Sequence, residues 1–278
     1  MGKRREVLEL NSTPPFYKAP GHMLSNVNKN RSLLKNLIAR DFKVNYHGHV
    51  LGYFWSMLEP LALTGIFFLV FIILRGDSDT LLPLKIMIGL LIFNSFSRTL
   101  SSCTACLVSN AGLIQQIYFP REIFPAAISG FRILSLILSM SIVIPYMIFE
   151  RIQPTAALLL LPVAMFSAIL LAQGIGMMTA SIQVRIRDTK QVIDLILRAG
   201  FFLSGVFFGA EHIPPEHLDL FLLNPVAVYI EMSRAAILGD TSFLTWVQIF
   251  RAVGFSVLAF ILGSIMFVKG ERKAVKYL

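Results

Sequence analysis

The chain has 278 residues, of which 55% are hydrophobic and 15% charged; soluble domains hold about 45–50% apolar and roughly 25% charged residues, which excludes an ordinary soluble protein. The net charge of +9 does not point to nucleic acid, because the basic residues cluster at the edges of long apolar runs, where they set orientation in a bilayer. Two cysteines, Cys103 and Cys106, are too few for a disulfide framework in a chain of this size.

Residues 1–28 read as an irregular cytoplasmic tail, since Pro14, Pro15, Pro20 and Gly21 interrupt any helix. The first 50 residues hold no apolar h-region of a signal peptide, so the first span is expected to drive insertion. Residues 29–50 form an interface segment, with a surface-lying helix over 29–46. Leu34, Leu37, Ile38 and Phe42 fall near one face of it, Lys35, Ala39 and Lys43 fall away, and Asp41 interrupts the stripe. A basic amphipathic helix beside a first span suits an anionic membrane surface.

Six spans are expected at about 51–74, 84–108, 122–149, 156–183, 191–209 and 245–268, within a single transmembrane domain over 51–268. An apolar helix of ~20 residues is what a bilayer requires. Tyr46, Tyr53 and Trp55 stand at the first entrance as an anchoring belt. The stretch 210–244 is too polar at 211–219 to span and too apolar over 220–238 to be a plain loop, and Pro214, Pro215 and Pro225 break it. It reads as re-entrant outer helices, which a membrane tolerates where they are buried in protein. The fold class is therefore an all-α integral membrane protein.

Nine lysines and arginines precede residue 51; Arg121, Arg185, Arg187 and Lys190 fall in the links on the same side, and Lys269, Arg272, Lys273 and Lys276 close the chain in a tail over 269–278. The opposite side carries Arg75, Lys85 and Arg151. The positive side is the cytoplasmic one, so both termini are expected in the cytoplasm and the chain in the cytoplasmic (inner) membrane.

No GxxxxGK[ST] phosphate loop, HExxH zinc motif or GxSxG elbow occurs. If transport is ATP-driven, the ATPase is another polypeptide. Cys103 and Cys106, inside an apolar run, read as small packing residues rather than a redox or zinc pair. His47 and His49 lack a third ligand nearby. Charged residues inside spans are costly and so informative. Arg98 and Arg132 either face a polar conduit or pair with a neighbouring helix, and Arg198 is close enough to an edge to snorkel. Glu231 and Arg234, three residues apart, are conduit candidates or a mutually neutralising pair on one helix face. Glu59 sits near the start of the first span.

Three segments together resemble the permease subunits of type-2 ABC transporters that export polysaccharide. The first runs from Arg40 through Asp41, Phe42, Lys43, Val44, Asn45 and Tyr46 to Trp55, Glu59 and Pro60. The second is residues 110–125, NAGLIQQIYFPREIFP. The third is Asn224, Pro225, Tyr229, Glu231 and Arg234. The likeness covers about residues 30–270; it departs at His47 and His49, where the family often has basic or small residues, and in the length of the N-terminal tail.

The resemblance implies a second copy of the chain and two copies of an ABC ATPase as partners, with ATP and magnesium held by the ATPase and no cofactor in this chain. It places a coupling helix at Leu113, Ile114, Gln115, Gln116 and Ile117. It makes Lys35, Arg40, Lys43, Tyr46 and Trp55 a gate for the lipid carrier, where the cations meet a diphosphate or simply anionic membrane lipids. The substrate it implies is a lipid-linked glycan such as O-antigen, capsule or teichoic acid. Two other readings share the six-span plan or the membrane class: a type-2 permease for a small lipid or drug, and an ion-coupled secondary transporter, which often shows internal repeats.

Overall fold

The computed structural model describes residues 19–46, 52–75, 80–116 and 120–274. Every regular element among them is helical. Two short helices, α1 (Ala19–Lys29) and α2 (Arg31–Tyr46), lead into α3 (Trp55–Arg75) and α4 (Leu82–Ser109). Helix α5 (Ala111–Gln116) is a single turn and a half before α6 (Ile123–Met140) and α7 (Val143–Phe149). Then follow α8 (Leu160–Gln183), α9 (Thr189–Leu203), α10 (Pro215–Phe221), α11 (Pro225–Leu238) and α12 (Trp246–Ala274).

Among the described residues five helices are long and apolar enough to cross a membrane: Trp55–Ile73, Leu82–Ser109, Ile123–Phe149, Ala156–Gln183 and Trp246–Gly270. The protein is a multi-pass membrane protein. The expected fifth span at 191–209 is instead α9, whose 15 residues reach about 22 Å, short of the ~30 Å hydrocarbon core. It stops at Leu203 because Gly205 takes a left-handed φ of 70°. The carbonyls of Val206 and Phe208 then turn to Arg234 instead of to a next helical turn. Helices α10 and α11 meet at 108°, a sharp bend within the stretch that the prolines interrupt.

One further expectation needs correction. Residues 19–28 are not irregular: Pro20 and Gly21 fall in the first turn of α1, where proline's missing N–H leaves nothing unsatisfied. The expected third span is present as Ile123–Phe149, with its α-helix interrupted for two residues at Ser141 and Ile142. Pro145 cannot donate to the Ser141 carbonyl four residues back, and the Ser141 hydroxyl donates to the Leu138 carbonyl at 2.7 Å. At the other end of the chain, α12 runs on to Ala274, into the segment read as a tail.

The centre of the bundle is α8. It packs on α12 where Gly174 meets Gly263; a Cβ on Gly263 would strike the Gly174 backbone. It packs on α4 where Gly176 lies against Cys103 and the Leu100 carbonyl. Close backbone approach through small residues is how helices associate in lipid, and it accounts for the buried Cys103. Helix α11 is buried from Val226 to Ile237. Asn224 caps its start by accepting from the Val226 N–H at 3.0 Å, and Gly239 ends it at φ 80°.

A second apolar cluster sits at the end of the bundle that carries α1 and α2. It joins Met23, Leu37, Cys106, Leu107, Ile114, Phe124, Met177 and Phe267, so α1, α2, α5 and four of the long helices share one packed block.

Candidate functional site: a cationic cavity beside helix α2

Helix α2 lies on α6. Its stripe faces inward as the sequence indicates: Leu37 is buried and Leu34, Ile38 and Phe42 are half-buried, with Ala39 and Lys43 exposed. Phe42 stands edge-on to Phe131 at 4.8 Å, and the Tyr46 hydroxyl donates to Ser135 Oγ at 3.4 Å. Gly130 makes room for the tip of Ile38. The cations therefore point away from the bundle. Lys35 and Lys43 flank a shallow recess of about 450 Å³ over Leu134, while Arg40 is held by its neighbour Asp41 at 2.8 Å.

Behind Tyr46 a cavity of about 540 Å³ opens between α2, α3, α4 and α6. It brings together residues far apart in sequence: Tyr46 and Trp55 from the expected gate, Arg98 and Arg132 from the expected conduit, and Glu59. Arg98 donates to the Glu59 carboxylate, and both side chains stay about half exposed. Arg132 lies over the Phe131 ring at 5.1 Å, and one terminal nitrogen reaches Ser102 Oγ at 3.4 Å. Its Nε is buried with no partner. Asn45, Asn94, Ser95, Ser135 and Ser139 add polar groups to the walls.

Glu231 and Arg234 are not at this cavity. They form a buried pair at 2.7 Å, and Arg234 also donates to the carbonyls of Lys85, Phe208 and Val206. The two residues are 7% and 4% exposed, so within the chain they close a turn and do not line an open passage.

Helix α5 buries Ile114, half-buries Leu113 and exposes Gln115; Ile117 and the Gln116 side chain lie outside the described residues, as do His47 and His49. Beside α5, His22 of α1 sits 3.5 Å from Glu122. Sequence reading missed a further polar bridge, in which Ser101 donates to Asp194 at 2.7 Å and Lys190 reaches its other oxygen at 2.6 Å. The signal was available: an acid within an expected span, four residues after a lysine and four before Arg198. Among the described residues no three His, Cys, Asp or Glu side chains converge as a metal would require.

The profile of the family described as ABC-2 type transporter matches residues 32–238. An O-antigen export system permease protein, RfbA of Klebsiella pneumoniae, is 21% identical over 80% of this chain and 86% of its own length. A polysialic acid transport protein, KpsM of Escherichia coli, is 27% identical over 73% of this chain and 80% of its own. A capsule polysaccharide export inner-membrane protein, BexB of Haemophilus influenzae, is 23% identical over 88% of this chain and 92% of its own.

Proposed function

The chain belongs to the ABC-2 type transporter family, and from that premise we propose that it is the membrane-spanning permease of an ATP-driven exporter that moves lipid-linked polysaccharide across the cytoplasmic membrane. Two copies work with two copies of a separate ABC ATPase, which holds ATP and magnesium, and both termini lie in the cytoplasm. The chain itself does no covalent chemistry.

The observation that carries this reading is the cavity. A lipid-linked sugar needs a lateral opening that is apolar toward the lipid and polar toward the glycan. The lining offers both kinds of group, Trp55, Leu58 and Leu91 beside Asn94, Arg98 and Ser139. Relatives named for O-antigen, polysialic acid and capsule export support the substrate class. Family membership disfavours an ion-coupled secondary transporter, and none of those three relatives is named for a small lipid or drug.

In this mechanism the glycan lipid arrives beside α2, and its sugar chain passes between two copies. Helix α5 docks in a groove of the ATPase, as a short helix with exposed polar and buried apolar residues can. Because Ile114 shares a packed block with Met23 of α1 and Leu37 of α2, a push on α5 moves the gate rather than dissipating. A packed block of this density transmits displacement.

The test is purification of the chain from its native cells in mild detergent. A stoichiometric ATPase with a phosphate-binding loop is expected to accompany it and to be lost when Gln116→Glu and Ile117→Asp are introduced. A folded preparation without such a partner would sink the assignment.

A further inference from the structure

The cavity behind Tyr46 carries more positive charge than its walls neutralise. Each described acid in an ion pair already has its own cation: Asp41 has Arg40, Glu59 has Arg98, Glu122 has His22, Asp194 has Lys190, Glu211 has Lys85 and Glu231 has Arg234. Among the described residues Arg132 has none. It is kept in place by a ring face and one long hydrogen bond, with its Nε open. A mostly buried guanidinium left this way is costly, and its planar fork suits an oxyanion bound by two oxygens. Arg98 lines the same cavity, and the carboxylate it holds is half exposed, so parting from Glu59 costs little.

We propose that this cavity is a binding site for a phosphate-bearing headgroup, and that Glu59 is its displaceable counter-ion: an arriving phosphate takes Arg98 from Glu59 and closes on Arg98 and Arg132 together. The identity of the donor, a diphosphate-linked lipid carrier, rests on the exporter reading; the site itself does not. Glu59 gives the site its selectivity. A phosphodiester with one negative charge competes poorly with a carboxylate already in place, whereas a diphosphate with two or more charges wins Arg98 and gains Arg132. Specificity by a competitor built into the site is a repulsive device of the kind selective binders use. The lysines of α2 line a separate recess over Leu134, and serve at most as a first attraction.

The full chain, placed in phosphatidylcholine nanodiscs with Trp246→Phe so that Trp55 alone reports, is titrated with a polyprenyl diphosphate, with inorganic diphosphate and with phosphatidylglycerol. The polyprenyl diphosphate and inorganic diphosphate are expected to shift Trp55 emission. Arg132→Gln and Arg98→Gln are each expected to weaken binding about tenfold or more, the loss of one charge-assisted contact, with Arg132→Lys recovering part of it. Glu59→Gln is expected to tighten binding severalfold and to let phosphatidylglycerol bind, a gain that misfolding cannot imitate. Unchanged binding in Arg132→Gln, or weaker binding in Glu59→Gln, would overturn the proposal. So would phosphatidylglycerol binding as well as diphosphate in the chain with Glu59 intact, because the site would then hold bulk membrane lipid. Loss of the partner ATPase in the purification above would instead sink the exporter reading and leave these titrations standing.

Discussion

Two arginines in the membrane-embedded bundle teach opposite lessons. Arg234 has every arm occupied: one carboxylate and three carbonyls surround it, and it is 4% exposed. Arg132 keeps an unpartnered Nε and no carboxylate. The elements around them differ the same way. The second span has 67% of its most apolar stretch inside the molecule, the first only 11%. The region around α8 and α11 is built for holding, and the region around α2 and α3 leaves surface and charge for something else to cover. A satisfied buried charge is architecture, and an unsatisfied one is an invitation to a ligand.

The largest effect expected from breaking that comparison is at Arg234. Arg234→Leu strands the Glu231 carboxylate and three carbonyls, which should cost about 3–5 kcal/mol and appear as a large fall in thermal stability in detergent. Replacing Glu231 by leucine as well should return part of it, since the buried carboxylate goes too. Arg132→Gln should leave the melting temperature nearly unchanged while binding falls. Equal stability losses at the two positions would erase the distinction.

A smaller effect is expected at the helix crossings. Gly263→Ala drives a Cβ into the Gly174 backbone; overpacking of this kind costs about 1–3 kcal/mol. Gly65→Ala in α3, where nothing lies within 4 Å, should be neutral or slightly stabilising, because alanine favours the helix by up to ~1 kcal/mol. Thermal melts of the pair check both halves of the contrast.

How much of this was legible beforehand follows the same divide. Local chemistry was legible. The prolines at 214, 215 and 225 announce the bent segment, and the spacing of Glu231 and Arg234 offers the pair that forms. The inward stripe of α2 appears as read. What depends on distant partners was not. The turn that ends α9 is held by Arg234, and Glu59 and Arg98 lie 39 residues apart. Nothing in either neighbourhood announces that they share a cavity with Arg132. Helix α1 was missed for a local reason, since proline and glycine break helices in the interior and not in the first turn.

The next effect down is at the seam between α2 and the bundle. Phe42→Leu removes the edge-on contact with Phe131, worth about 0.5–1.5 kcal/mol, and should loosen α2 from α6. Faster hydrogen exchange in α2, with α8 and α11 unaltered, is the expected reading by mass spectrometry.

The smallest stability effect separates the outer face of α2 from the cavity. Lys35→Gln with Lys43→Gln changes exposed side chains, and surface substitutions of this sort stay within about 0.5 kcal/mol. If the two lysines only draw the chain's gate toward anionic membrane, the double variant should bind diphosphate in the cavity as before. Its export rate should fall most at low ionic strength, where surface attraction reaches furthest. If they instead hold the headgroup, cavity binding measured through Trp55 should drop along with export, at every salt concentration. The two readings differ in that one titration because the recess over Leu134 and the cavity behind Tyr46 are separate pockets that share no lining residue. A headgroup held between Arg98 and Arg132 sits in a pocket that neither lysine lines.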